Sequence, residues 1–208
     1  MEQGHARLRL AYQGEPGAYG ELAILHRFGS AQVVPVPQPT FAAVIQAITE
    51  GAVDGGVLPV RNTTTGRIAE AAALLGQPDI QVAGYMWQSI NHCLMALPGQ
   101  TLNDICEVRS HPQALAQCSA YLERMGVEIF EAEDTAGSAR YISERGIRGV
   151  AAIASERAAE CYGLTVLAAD IQTRKNNATC FAILRPTAVA VPVRTRETSV
   201  HTGRMGNA

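Results

Sequence analysis

The chain has 208 residues, 47% of them hydrophobic, which is enough for one globular domain or two small lobes with a buried core. Its formal net charge is -2, with 17 Lys and Arg against 19 Asp and Glu, which argues against a nucleic-acid partner because neutralising phosphates needs clustered basic residues. No apolar run reaches the roughly 18 residues that a membrane span needs, so we expect no membrane partner and a cytoplasmic location.

The five cysteines are scattered along the chain, without a C-x2-C pair and without a histidine at zinc spacing. Their pattern is typical of small buried residues, and the sequence predicts no metal site.

The first third of the chain alternates short strands with helices. Residues 8–13 read as a strand, a turn follows at 14–17, and residues 18–28 read as a helix. The turn has only two glycines, so it lacks both the dinucleotide fingerprint and the Gly-Lys-Ser/Thr of a P-loop. It therefore predicts no nucleotide site.

Two more such units follow. A strand at 33–36 precedes a helix at 41–50, which Thr40 is expected to cap. A buried strand at 55–60 then leads into a hydroxyl-rich loop at 61–66. A polar loop between a strand and a helix is where a parallel sheet places its binding groups.

The middle of the chain contains a motif that ends a strand and opens a helix, residues 110–118. Ser110 is a good helix cap, and Pro112 fits the first helical turn because its missing N–H has no partner there. Such a helix end presents unpaired N–H groups and partial positive charge. The motif therefore suits a carboxylate or phosphate ligand, although alone it is also typical of an ordinary capped helix.

Later units repeat this alternation, with strand candidates at 164–167 and 179–184. The pattern predicts an α/β protein with a mainly parallel sheet. Periodicity is lost after residue 185, and we expect a flexible tail at 186–208.

Eight short motifs together resemble one family, prephenate dehydratase, in its bacterial prephenate and plant arogenate dehydratase forms. They occur in the family's order over about residues 8–185: AYQGEPGAY at 11–19, VLPV with Asn62 at 57–62, HCLMALPG at 92–99, SHPQALAQC at 110–118, DTAG at 134–137, AAIAS at 151–155, YGL at 162–164 and N-x-T-x-F at 177–181.

The resemblance implies an α/β fold of two lobes, like the type 2 periplasmic binding proteins, with the ligand in the cleft between them. The first lobe would comprise residues 1–84 plus 165–185, and the second residues 85–164.

The resemblance also implies a lyase activity, the decarboxylating dehydration of prephenate to phenylpyruvate in phenylalanine biosynthesis, without metal or organic cofactor. The substrate would be the small-molecule partner, and a homodimer is compatible with the sequence. Arogenate dehydratase, prephenate decarboxylase and a non-catalytic ligand-binding relative remain as alternatives.

Roles for individual residues follow from the same resemblance. Thr179 would donate a proton, or a hydrogen bond, to the departing hydroxyl. The substrate-binding residues would be Asn62, Thr63, His111, Gln113, Ala114 and Thr135. The cleft loop would contain Pro16, Gly17 and Ala18.

Two motifs depart from the family's usual pattern. Arg61 stands where a glutamate is usual, and Cys180 stands where an arginine is usual. An arginine can hold a carboxylate with two parallel hydrogen bonds, and a cysteine cannot. We therefore add Arg61 to the predicted substrate-binding residues, on the hypothesis that it replaces the lost arginine from across the cleft. The family's regulatory ACT domain is also expected to be missing.

Overall fold

Eleven strands and seven helices occur in residues 6–187, the part of the chain that the structure, a computed structural model, describes. The strands are β1 (Leu8–Gln13), β2 (Val33–Gln38), β3 (Gly55–Asn62), β4 (Gly66–Arg67), β5 (Ile80–Ser89), β6 (Cys93–Ala96), β7 (Glu107–Ser110), β8 (Glu128–Glu131), β9 (Val150–Ala154), β10 (Thr165–Ala168) and β11 (Ala178–Pro186). The helices are α1 (Tyr19–Phe28), α2 (Phe41–Thr49), α3 (Ala69–Leu74), α4 (Pro112–Gln117), α5 (Ser119–Met125), α6 (Thr135–Arg145) and α7 (Glu156–Tyr162).

The strands form two sheets. The first has the order β2-β1-β3-β11-β5, with β4 paired to β3, and the second has the order β10-β6-β9-β7-β8. The chain crosses from the first sheet to the second at residues 90–92 and returns at 169–177. This arrangement confirms the predicted two-lobed α/β fold.

Each sheet mixes parallel with antiparallel pairs, whereas the sequence predicted mainly parallel ones. Strand β11 runs antiparallel to both neighbours, β3 and β5, and β6 runs antiparallel to β9 and β10. Both strands come directly after a crossing. No helix reverses the chain before them, and a parallel neighbour needs such a crossover connection.

The lobe boundaries differ from the predicted ones at two strands. Residues 85–89 were expected in the second lobe, but β5 pairs with β11 of the first sheet up to its last residue. Residues 165–168 were expected in the first lobe, but β10 pairs with β6 of the second sheet. Among the strands of residues 6–187, β11 alone therefore returns to the first lobe.

Apolar residues cover both faces of each sheet. In the first lobe α2 and α3 pack on one face and α1 on the other, around buried residues such as Leu58 and Tyr12. In the second lobe α6 and α7 cover one face and α4 and α5 the other. Side chains at the strand ends are thereby held on two well-packed bodies.

None of the described helices is long and apolar enough to cross a membrane. The flexible tail predicted at 186–208 begins too early, because Pro186 pairs with Ile80 as the last residue of β11 and Thr187 donates to the Asp79 and Pro78 carbonyls. The rest of the predicted tail, 188–208, lies outside the described residues.

Candidate active site in the cleft between the lobes

A cleft of about 450 Å³ lies between the two lobes. The ends of β1, β3 and β11 line it from the first lobe, and the N-terminal ends of α4 and α6 line it from the second. Seven of the predicted site residues line this cleft: Ala18, Asn62, His111, Gln113, Ala114, Thr135 and Thr179.

Asn62 and Thr179 form the centre of the first-lobe wall. They are paired residues on the neighbouring strands β3 and β11, and both are buried. The Asn62 Nδ2 group donates to the Thr179 Oγ1 atom at 3.0 Å. Thr179 therefore accepts with its oxygen and keeps its own proton for another acceptor, and it donates to no group among residues 6–187.

A β-bulge decides which residue of the 61–62 pair faces the cleft. Phe181 pairs with Pro59, but Cys180 pairs with Arg61, so one extra residue of β3 lies between the two pairs. A bulge of this kind turns the following side chains to the other face of the strand. It brings Asn62 to the cleft face, beside Thr179.

Arg61 and Cys180 consequently lie on the opposite face. Cys180 alternates with Thr179 and Phe181, which both line the cleft, and it is paired with Arg61 on one side and Trp87 on the other. Burial raises the pKa of the Cys180 thiol, and the nearby Arg61 acts in the other direction. Arg61 is exposed and does not line the cleft, so this geometry gives no support to its predicted contact with the substrate.

Thr63 does not line the cleft either, and its hydroxyl makes structural hydrogen bonds. Its hydroxyl donates to the Asn176 carbonyl and accepts from the Ala178 N–H, both at 2.9 Å. It ties the loop after β3 to the start of β11.

The predicted cleft loop reaches the cleft only through its last residue. Pro16 and Gly17 do not line it. Gly17 has a φ of 90° and packs so closely on α7 that an added Cβ would lie 2.5 Å from the Ala158 Cα. The loop thus holds the two lobes together beside the cleft.

The second-lobe wall begins at His111. The structure corrects the predicted cap, since His111 and not Ser110 occupies the N-cap position of α4. Ser110 ends β7, and its buried hydroxyl donates to the Ile153 carbonyl. The His111 Nδ1 atom accepts from the Gln113 N–H at 3.1 Å, so a neutral His111 carries its proton on Nε2. Gln113 in turn donates across the cleft to Thr65 Oγ1 at 2.9 Å.

Sequence reasoning missed Gln117, His92 and Asn177. The Gln117 Oε1 atom accepts from Asn177 Nδ2 at 2.9 Å and lies 2.8 Å from His92 Nε2. Its amide nitrogen has no hydrogen-bond partner in the described part of the chain, and Gln117 lines the cleft. Its four-residue spacing from Gln113 was a usable signal, because residues i and i+4 share one face of a helix.

The cleft lining is acidic. No lysine or arginine lines it within residues 6–187, whereas three carboxylates do, from Glu70, Glu133 and Asp134. Asp134 also caps α6 by accepting from the Gly137 N–H. No group of three or more His, Cys, Asp or Glu among the described residues is arranged to hold a metal ion. The donors that remain are hydroxyl, amide and imidazole groups and the end of α6.

A family model described as prephenate dehydratase matches residues 10–188. The chain belongs to the prephenate dehydratase family. It is 42% identical over 179 residues to arogenate dehydratase/prephenate dehydratase 1, chloroplastic, from Arabidopsis thaliana, an alignment that covers 86% of this chain and 45% of the relative. The chain thus spans less than half of the length of that plant relative.

Two further members of the family are also similar to it. One is a bifunctional N-acyl-homoserine lactone acylase/prephenate dehydratase from Komagataeibacter europaeus, 34% identical over 88% of this chain and 65% of its own. The other is a prephenate dehydratase from Arthrobacter aurescens, solved in complex with L-Phe. It has 26% identity and a TM-score of 0.78, and the alignment covers 90% of this chain and 63% of that one.

Proposed function

We propose that this chain is a lyase that converts prephenate to phenylpyruvate, carbon dioxide and water. The observation that carries the proposal is the Thr179 hydroxyl, which accepts from Asn62 and so has its proton available at the wall of the cleft between the lobes. In the reaction the ring carboxylate leaves as carbon dioxide and its bonding electrons enter the ring. The ring C–O bond then breaks, and the departing hydroxide needs one proton.

Thr179 is placed to serve that departing oxygen. A threonine hydroxyl is a weak acid, so it acts by hydrogen-bonding to the oxygen or by relaying a proton to it. His111 and Gln117 line the opposite wall with N–H groups suited to the substrate carboxylates. Thr135, which also lines the cleft, begins the 11-residue helix α6 at its partially positive end. Holding the substrate in one orientation is itself a large part of the catalysis, because aromatisation drives the reaction.

Arogenate is a second candidate substrate, and the charge of the cleft favours it. Prephenate carries two carboxylates, and no arginine or lysine of the described chain lines the cleft to balance them. Arogenate carries an ammonium group in place of the keto group, which suits the carboxylates of Glu70, Glu133 and Asp134.

Turnover of purified protein with each substrate at neutral pH tests the proposal. We expect phenylpyruvate from prephenate, phenylalanine from arogenate, or both. Thr179→Ala should lower kcat by about 10²- to 10⁴-fold, the usual range for losing a positioned acid. Thr179→Ser, which keeps the hydroxyl, should retain most of the rate, and Thr165→Ala, at the exposed first position of β10, should leave it unchanged.

Three results would contradict the proposal. A nonaromatic keto acid would indicate a decarboxylase, and binding without any product would indicate a non-catalytic relative. An unchanged kcat in Thr179→Ala would remove Thr179 from the mechanism. The homodimer and the cytoplasmic location remain predictions, and the Arabidopsis thaliana relative is by its name a chloroplastic protein.

A further inference from the structure

Two backbone N–H groups fix the direction of the Asn62 amide. The Thr64 and Thr65 N–H groups both donate to Asn62 Oδ1, at 2.8 and 3.1 Å. A backbone N–H can only donate, so the oxygen must lie on that side and the nitrogen on the other. The Asn62 nitrogen then donates to Thr179 Oγ1 and to Asn177 Oδ1, at 3.0 and 2.9 Å.

The donor and acceptor sides set at Asn62 also determine those of the buried side chains that connect it to the second lobe. Because Asn177 accepts with its oxygen, its nitrogen is the atom that donates to Gln117 Oε1. The Gln117 oxygen is therefore an acceptor, and the His92 Nε2 atom, 2.8 Å away, must be protonated to bond with it. An amide in this series of hydrogen bonds can be turned only if all the other amides of the series turn too.

His92 itself is 2% exposed and lies at the first crossing between the lobes. The Tyr19 hydroxyl donates to the Asn91 carbonyl at 2.7 Å, and its oxygen lies 2.9 Å from the second ring nitrogen of His92, Nδ1. Burial lowers the pKa of His92, although its hydrogen bond with Gln117 acts the other way, and burial raises the pKa of Tyr19 well above its usual range. A neutral imidazole fits these contacts when the single Tyr19 proton is shared between the Asn91 carbonyl and His92 Nδ1.

We propose that His92 is a positioning residue, held as the neutral tautomer with its proton on Nε2, which fixes the Gln117 amide with its nitrogen toward the cleft. The amides of Asn177 and Gln117 are neither acids nor bases near neutral pH. The series of hydrogen bonds therefore orients these amides and does not carry protons to Thr179. The effect on turnover rests on the proposed function, whereas the tautomer does not.

The tautomer is measured by 15N NMR of the imidazole nitrogens in the full chain. We expect His92 to be protonated on Nε2 and unprotonated on Nδ1. Asn177→Asp replaces the donating nitrogen by an oxygen, so Gln117 should turn its nitrogen toward the new carboxylate and His92, and the His92 proton should move to Nδ1. Asn176→Asp adds the same charge at the exposed neighbouring residue and should change nothing. A wild-type proton on Nδ1, or no change of tautomer in Asn177→Asp, overturns the proposal.

Kinetics test the positioning role of His92 with two variants, each of which places an amide group at the position of one ring nitrogen. A glutamine amide reaches the position of Nε2, and an asparagine amide only that of Nδ1. We expect His92→Asn to lower kcat/KM about tenfold, near the value of one hydrogen bond, and His92→Gln to keep most of it. His26, which bonds Gln88 outside this cleft, supplies the controls His26→Asn and His26→Gln.

The kinetic result separates the two proposals. Equal losses in His92→Asn and His92→Gln, or equal losses in the His26 variants, overturn the positioning role. If the wild type turns over neither prephenate nor arogenate, the proposed function fails, and the NMR experiment still decides the tautomer and its dependence on Asn177.

Discussion

Single hydrogen-bonding groups decide what each side chain of the cleft can do. Thr179 is a donor to a ligand only because Asn62 donates to it, and Asn62 has that direction only because Thr64 and Thr65 hold its oxygen. These neutral groups therefore acquire a fixed polarity from hydrogen-bond partners that are themselves uncharged. This suits a reaction in which charge leaves the substrate ring, because preorganised dipoles stabilise it without rearrangement.

Arg61 and Cys180, the two departures from the family pattern, should be nearly neutral for turnover. Both lie on the sheet face away from the cleft, so Arg61→Ala and Cys180→Ser should change kcat/KM by less than about threefold, as for substitutions outside a site. Steady-state kinetics with either substrate measures this, with Asn62→Ala as the variant expected to lose activity. A large rise of KM in Arg61→Ala would instead restore the hypothesis of a substrate contact.

At the scale of elements, the loop before α1 and the start of α7 join the lobes. Ser155 donates to the Gly17 carbonyl, and Arg157 of α7 lies 3.4 Å from Glu21 of α1. The close approach of Gly17 to Ala158 leaves no room for a side chain. The loop and the helix end thus form a joint that depends on one glycine.

Replacing this glycine should loosen the joint. Gly17→Ala should lower the free energy of unfolding by about 1–3 kcal/mol more than Gly29→Ala, because only the first substitution also overpacks a contact. Gly29 is a matched control, since its φ of 81° is close to the 90° of Gly17 and nothing lies within 4 Å of its added Cβ. Urea unfolding measures both variants. Equal losses would show that backbone strain alone accounts for the effect.

The sequence predicted most elements because their signals are local. Thr40 caps α2 as expected, and the strand and helix patterns recur at nearly the predicted bounds. The bulge in β3 was not predictable, because it exists only where β3 meets β11, more than 100 residues later in the chain. The roles of His92 and Asn177 were missed for the same reason, since long-range pairing and not spacing brings them to Gln117.

At the scale of the whole molecule, the crossings between the lobes carry part of the site. His92 lies on the first crossing and Asn177 on the second, and both bond Gln117 of the second lobe. The burial of His92 therefore depends on both lobes being folded and docked.

The stability of the whole chain should accordingly depend on pH through His92. Its pKa is lowered on folding from the usual 6.5, so the unfolded chain binds the proton more readily. The contribution of His92 should be complete above about pH 6.5 and lost as the pH falls through its lower folded-state pKa, with a slope of about 1.4 kcal/mol per pH unit in between. Denaturant unfolding of wild type and His92→Gln between pH 5 and pH 8 (about the range in which histidine titrates) checks this. Identical pH slopes would refute it.

The position of β11 also sets the order in which the molecule can be completed during synthesis. This strand lies between β3 and β5, yet it is the last strand of the described chain. While the ribosome makes residues 93–168, the second sheet can assemble, but β5 has no partner and the first sheet has a gap at its centre. When β11 emerges, it closes that gap and brings Thr179 to Asn62. A nascent chain therefore has no complete cleft until β11 is in place.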